Sequence, residues 1–249
     1  MDVQAYLDRI NYHGSLAPHA ETLRQLQIAH LMTVPFENLS IHAGEPIVLE
    51  DAALFRKIVN RRRGGFCYEL NGLFAALLRA LGFEVAMLSA QVADDEGTFS
   101  RDFDHMALMV TIEERWLVDV GFGDSFVEPL LLDKREAQAQ GDRAYRIVAE
   151  GERLIVQSRN KNEWKSEYRF TLEPYQYADY AEMCEYHQTS PLSHFTSGRV
   201  CSRLTPKGRV TLRDMNLITT ELGERREQAA ATQKEYAELL RKHFGIVME

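Results

Sequence analysis

The chain has 249 residues, 45% of them hydrophobic and 27% charged, with a formal net charge of −8. That composition excludes a mostly disordered chain, and the acidic balance disfavours a nucleic-acid partner, whose phosphates need a basic surface. No apolar run approaches the ~20 residues of a membrane span. Met1 to Ile10 carries Asp2 and Asp8 where a secretory signal would be basic and then apolar, so a cytoplasmic protein with no membrane partner is expected.

The first ~80 residues read as helices by their apolar spacing. Val3, Tyr6, Leu7 and Ile10 share one helix face, which Asn11 and Gly14 end. Leu23, Leu26, His30 and Leu31 form the next face, and that helix must stop before Val34-Pro35. Leu54, Phe55, Ile58 and Val59 mark a third helix. Leu70, Leu73, Phe74, Leu77, Leu78 and Leu81 mark a fourth, closed by Gly82. After Gly82 the pattern changes to short Val-, Leu- and Met-rich runs that predict strands at 84–92, 105–112 and 115–120, then near 144–149, 153–158 and 166–172. Residues 175–186 read as helical or irregular, 199–204 and 208–213 as a hairpin around Pro206-Lys207, and 224–244 as one polar helix. Helices followed by antiparallel strands and a mixed tail predict an α+β protein. The expected division is 1–83, helical; 84–186, β; and 187–249, mixed.

Three cysteines, Cys67, Cys184 and Cys201, form no C-x-x-C pair, so neither a disulfide framework nor a structural zinc site is expected. Cys67 follows Arg63-Gly64-Gly65-Phe66 and opens the fourth helix. A helix N-terminus favours thiolate, so Cys67 reads either as a reactive thiol or as a small buried residue at the start of a core helix. His105 opens one predicted strand and Asp119 closes the next. An aspartate inside an apolar strand needs a partner, and a cysteine with a histidine and an aspartate elsewhere in the chain is the arrangement for nucleophilic acyl transfer. Strand parity constrains it. A two-residue turn at Glu113-Glu114 would put His105 and Asp119 on opposite faces. A three-residue connection, Ile112 to Glu114, would pair Thr111 with Arg115 and set Asp119 opposite Ala107, diagonal to His105. The three-residue form is predicted.

Val34-Pro35-Phe36-Glu37-Asn38-Leu39, Arg63-Gly64-Gly65-Phe66-Cys67-Tyr68-Glu69-Leu70-Asn71, the strand at His105, and Val118-Asp119-Val120-Gly121-Phe122-Gly123 together resemble the arylamine N-acetyltransferases, with a weaker echo in Thr189-Ser190-Pro191 and Phe195-Thr196. The resemblance implies a helical first domain, an antiparallel β-barrel and an α/β lid, the first two forming a cysteine-protease/transglutaminase-like core. It places the family's catalytic Cys, His and Asp on Cys67, His105 and Asp119. It implies a ping-pong reaction in which acetyl-coenzyme A acetylates Cys67 and an arylamine or hydrazine then takes the acetyl group. Acetyl-CoA is then a substrate, with no tightly bound cofactor and no metal. Phe122, Phe195 and Val92 are implied to line the acceptor pocket, and Thr205 and Gly123 to meet coenzyme A. Arg63 is implied to pair with Glu37 beneath the site. Tyr68 and Asn71 are read as hydrogen-bonding supports, and Cys184 and Cys201 as structural. The alternatives are an amide (macrolactam) synthase of a polyketide pathway using a carrier-bound acyl chain, a cysteine hydrolase of the protease or transglutaminase class, and a non-catalytic metal-binding module on Cys67, His105 and Asp119.

Overall fold

A computed structural model of the chain describes residues 1–160 and 163–248. Helix α1 (Val3–Arg9) is capped by the Asp2 carboxylate, which accepts from the Ala5 N–H, and it stops at Asn11, whose φ is +53°. Helix α2 (Ala20–Thr33) ends at Val34, in extended backbone before Pro35. The third predicted helix is α4 (Asp51–Phe55), which runs on into a π turn at Arg56–Asn60; a short α3 (Leu39–His42) precedes it. Helix α5 (Cys67–Ala80) is the central element. Leu70, Leu73, Phe74, Leu77 and Leu78 are fully buried, and Gly82 turns the chain out of it at φ +90°.

Strands β2 (Glu84–Val92), β3 (His105–Thr111), β4 (Arg115–Val118), β5 (Leu130–Leu131), β6 (Gln138–Gln140), β7 (Arg143–Glu150), β8 (Arg153–Asn160) and β9 (Glu163–Tyr175) form one antiparallel sheet in the order β5-β4-β3-β2-β9-β8-β7-β6. Its two edges meet through side chains. The Gln138 amide exchanges hydrogen bonds with the main chain of Leu131, and the Gln140 amide accepts from the Val127 and Glu128 N–H groups and donates to the Glu128 carbonyl. These bonds satisfy backbone groups that an open sheet edge would leave unpaired, and they nearly close a barrel around Leu88, Leu117, Leu130, Ile147 and Val156. The β3–β4 connection is the three-residue form: Thr111 pairs with Arg115 and Leu108 with Val118.

A second sheet, β1-β10-β11-β12-β13, comprises β1 (Phe36–Glu37), β10 (Val200–Thr205), β11 (Gly208–Arg213), β12 (Asn216–Glu221) and β13 (Glu224–Ala229). Cys201, Val210, Leu212 and Leu217 pack on helix α8 (Gln233–Phe244) through Tyr236, Leu240 and Phe244. The single polar helix expected over 224–244 is corrected here: residues 224–229 are strand β13, and only 233–244 are helical. Every side chain of β13 is exposed, so no apolar alternation marks it. Main-chain pairing to β12 holds it, across a turn with Leu222 and Gly223 both at positive φ (50° and 84°), the signature of a type I′ hairpin. The short β1 comes from the helical part of the chain yet hydrogen-bonds into this C-terminal sheet. Between β9 and β10, a 3-10 turn at Tyr177–Tyr180 leads into α6 (Ala181–Thr189), whose Cys184 buries in the helical core, and α7 (His194–Ser197) follows.

Candidate active site

Cys67 is the first residue of α5, and the loop before it is pinned from three directions. The Glu69 carboxylate accepts from the Phe66 N–H (3.1 Å) and pairs with Lys57 Nζ (2.7 Å). The Glu37 N–H donates to the Gly65 carbonyl (2.8 Å), so β1 lies against the loop. Gly64 is required there, since a Cβ would stand 1.9 Å from the Pro35 carbonyl oxygen. Arg63 is buried and donates from Nε to Glu37 Oε1 (2.9 Å), with Nη2 in ion-pair contact with the same oxygen (2.8 Å), while Arg61 pairs with Glu45. The arginine run thus supplies internal pairs at Arg61 and Arg63.

The hairpin register puts His105 and Asp119 on one face, and they meet: His105 Nε2 lies 2.7 Å from Asp119 Oδ2, both residues 3% exposed. With Nε2–H donated to the carboxylate, Nδ1 is the basic nitrogen of the ring. The other carboxylate oxygen accepts from Asn71 Nδ2 (2.9 Å) and the Gly121 N–H (2.8 Å). Asn71 also donates to the Met106 carbonyl (2.6 Å) and accepts from the Val120 N–H (2.9 Å), tying α5 to β3 and to the turn after β4. Gly121 lets that turn press on the helix, for a Cβ would meet Cys67 Cα and Asn71 Nδ2 at 2.8 Å. Aromatic rings of Phe122 and Tyr168, each with its centroid 5.2 Å away, hold the imidazole. The Tyr68 hydroxyl donates to the Phe103 carbonyl (2.5 Å), fixing the approach to His105.

Cys67 and His105 line the same cavity, of about 530 Å³. Phe122, Phe195, Val92 and Gly123 line it too. Thr205 does not, a correction that follows from strand parity. On β10, Val200 and Ser202 face the cavity, whereas Thr205 shares the opposite parity with Cys201 and pairs with Gly208 at the far end. Several lining residues were not anticipated. Arg209, Thr211 and Arg213 project from one face of β11, with Arg209 Nε 3.4 Å from Asp124 and its Nη1 donating to Ser202 Oγ (3.2 Å). The alternation Arg209-Val210-Thr211-Leu212-Arg213 was the available signal. Asn38 donates to the carbonyls of Phe195 (2.8 Å) and Gly198 (2.7 Å) and accepts from the Val200 N–H, joining the Val34–Leu39 segment to the cavity wall. Asp104 and His194 complete the rim.

Burial pushes the Cys67 thiol well above its ordinary value. The carboxylates Asp104 and Asp119 push the same way, and the Met106 N–H opposes them. This reverses the direction expected from a helix N-terminus alone, because a buried thiolate lacks solvent. A thiolate formed here would therefore need a positive charge beside it in the cavity to offset the lost solvent. Burial also raises Cys184, to about 12, and Cys201. Among the described residues, no three His, Cys, Asp or Glu side chains are grouped as ligands for a metal ion, and no helix is long and apolar enough to cross a membrane.

A helix-borne thiol that shares a cavity with a histidine–aspartate pair built on a barrel hairpin is the core of the cysteine-protease and transglutaminase class, whose chemistry is acyl transfer. A family profile described as "N-acetyltransferase" matches residues 19–249. The arylamine N-acetyltransferase of Mycolicibacterium smegmatis is 35% identical over 253 residues, covering 99% of this chain and 92% of that protein. The structure of Mycobacterium marinum arylamine N-acetyltransferase in complex with CoA superposes with a TM-score of 0.91 at 33% identity, covering 98% of this chain and 93% of that one. The proansamycin X synthase of Amycolatopsis mediterranei is 32% identical over 248 residues, covering 96% and 95%. The chain belongs to the arylamine N-acetyltransferase family.

Proposed function

We propose that the protein transfers an acetyl group from acetyl-coenzyme A to the nitrogen of an arylamine or hydrazine through a thioester on Cys67. The observation that carries this reading is the shared cavity of Cys67 with the 2.7 Å His105–Asp119 pair. The Cys67 Sγ proton passes to His105 Nδ1 and the thiolate attacks the thioester carbonyl. The bond to coenzyme A sulfur breaks, and that sulfur leaves with the proton from the imidazolium. An acceptor amine, neutral at pH 7, then attacks acetyl-Cys67. His105 takes its proton, and the Cys67 thiolate departs as the amide forms. Asp119 holds the tautomer and stabilises the imidazolium. In this division of labour, residues 1–83 carry the nucleophile, 84–186 the histidine and aspartate, and 187–249 the lid. Phe122, Phe195 and Val92 contact the acceptor and Gly123 lies beside the donor. The protein works in the cytoplasm on these small molecules.

Mass spectrometry after acetyl-CoA alone tests the reading. An acetyl adduct on Cys67, absent in Cys67→Ala and discharged by an arylamine, supports it; a chain without the adduct sinks it. The match to proansamycin X synthase supports one second reading, an amide synthase that takes a carrier-bound acyl chain. Turnover of a carrier-bound acyl thioester without turnover of acetyl-CoA would favour that reading. Release of acetate at the rate of adduct formation would favour a hydrolase.

A further inference from the structure

A second aspartate–histidine pair stands beside the nucleophile. Asp104, the residue before His105, lines the cavity with Cys67, and its side chain is 14% exposed. Its Oδ2 accepts from Ser100 Oγ at 2.7 Å. Its Oδ1 lies 3.2 Å from Nε2 of His187, a residue of α6 that is 1% exposed. The contact is close enough for an ion pair but off the line of a hydrogen bond, since that buried Nε2 has no hydrogen-bond partner. On the other side of the ring, Nδ1 is 3.1 Å from Ser193 Oγ, which also accepts from the Phe195 N–H. Nε2 thus faces a carboxylate oxygen, which can only accept, and Nδ1 faces a serine hydroxyl, which can accept from it or donate to it. The ring is clamped edge-on by Phe66 and Phe195.

We propose that His187 is a positioning residue of the acetyl-transfer site, whose positive charge neutralises Asp104 so that the Cys67 thiolate and the His105 imidazolium can form. The inference rests on Cys67 being the nucleophile. An unneutralised carboxylate beside a buried thiol opposes its ionisation, because two like charges in a low-dielectric site repel strongly. Burial alone would push the Asp104 carboxyl up, yet His187 and Ser100 together hold it below its ordinary value. The groups facing His187 are Asp104, His194, Tyr68 and Tyr186, the last carrying Arg101 over its ring. Those acting on Asp104 are Ser100, His187 and His194, and Arg213 from β11 acts on His194. His187 is the one of these in ion-pair contact with Asp104.

The test is the rate of Cys67 alkylation by iodoacetamide against pH, read by mass spectrometry, in the wild type, Asp104→Asn, His187→Gln and the double variant. His187→Gln should slow alkylation at pH 7 about tenfold, the effect of one unit in the thiol pKa. Asp104→Asn should speed it, because the carboxylate that opposes thiolate formation beside Cys67 is gone. In the Asp104→Asn background, His187→Gln should change the rate less than about threefold. A purely structural histidine would slow both backgrounds alike, and that result overturns the proposal, as does a His187→Gln chain that alkylates at the wild-type rate. If His187→Gln does not fold, the double variant decides, since it removes the carboxylate together with its partner. A double variant that folds and alkylates within about threefold of Asp104→Asn supports the proposal, and one that fails to fold or is slower than that overturns it. Failure of the underlying reading shows separately, as a wild-type chain that takes no acetyl group on Cys67.

Discussion

His105 and His187 are both buried and both face an aspartate near one thiol, but the two pairs are built differently. His105 and Asp119 are 14 residues apart, one opening β3 and the other following β4, where a three-residue connection fixes parity and a 2.7 Å hydrogen bond fixes the ring. Both oxygens of Asp119 are occupied, and Asn71 locks the assembly to the helix that carries Cys67. His187 and Asp104 come from a helix and a loop far apart in the chain, and they meet at 3.2 Å without hydrogen-bond alignment. The first pair is built for direction: it decides which nitrogen is basic and where the ring lies. The second is built for charge, which needs proximity and burial but little alignment. A third buried histidine, His30, pairs with no carboxylate among the described residues. Its Nδ1 is 3.0 Å from the Tyr6 hydroxyl, and burial drives its pKa down to about 3.

The largest effect should come from breaking direction. Asp119→Asn should cut acetylation of Cys67 about 10³-fold, somewhat less than the ~10⁴ lost in a serine enzyme, because a thiol needs less activation. Single-turnover acetylation measures it, and a loss under tenfold would remove Asp119 from the mechanism. Gly121→Ala should follow at about 10²-fold, with about 1–3 kcal/mol of stability lost in denaturant unfolding, since its Cβ must displace Cys67 Cα or Asn71. A fully active alanine variant would show that the close approach is dispensable. Asn71→Ala should slow acetylation about tenfold while leaving the KM for acetyl-CoA within twofold, because Asn71 orients Asp119 and lies outside the set of cavity-lining residues. A KM effect without a rate effect would contradict that.

His30 gives the smallest effect on activity and a clean one on stability. Its folded pKa lies below the ordinary 6.5, so the unfolded chain binds the extra proton first as pH falls. Its contribution is complete above about pH 6.5 and is lost between there and about pH 3, at about 1.4 kcal/mol per pH unit. His30→Asn keeps an acceptor for Tyr6 and should flatten that part of the stability–pH curve. An unchanged slope would mean that another group supplies it.

How much of this was legible in the sequence depends on distance along the chain. Helix α5 was plain from its leucines. The β3–β4 register was derivable because period-two geometry leaves only two parities for His105 and Asp119. Strand β13 was not legible: Glu224 to Ala229 carries good helix formers and buries nothing, so only its hairpin to β12 makes it a strand. Thr205 was placed by resemblance to a motif, and the parity of β10 turns it away from the cavity. The Asp104–His187 contact had no signal, since neither residue belongs to a periodic pattern that points at the other. The upward shift of the Cys67 thiol was hidden for a related reason: a helix N-terminus can be read from sequence, but the burial that outweighs it depends on strands arriving from elsewhere.

The two residues of β1 set a schedule for the ribosome. Asn38 is hydrogen-bonded to Val200, 162 positions later, and Phe36 and Glu37 pair with Ser202 and Cys201. At ~5–20 residues per second, those partners are synthesised roughly 10–30 s after β1. Until then the segment that braces the Gly64-Gly65 loop from one side has no strand on its other side. The nascent chain must keep that short edge from foreign strands during the interval, and two residues offer an intruder very little to pair with. A longer β1 would brace the nucleophile loop more firmly in the finished protein, at a greater risk of misassembly while it waits.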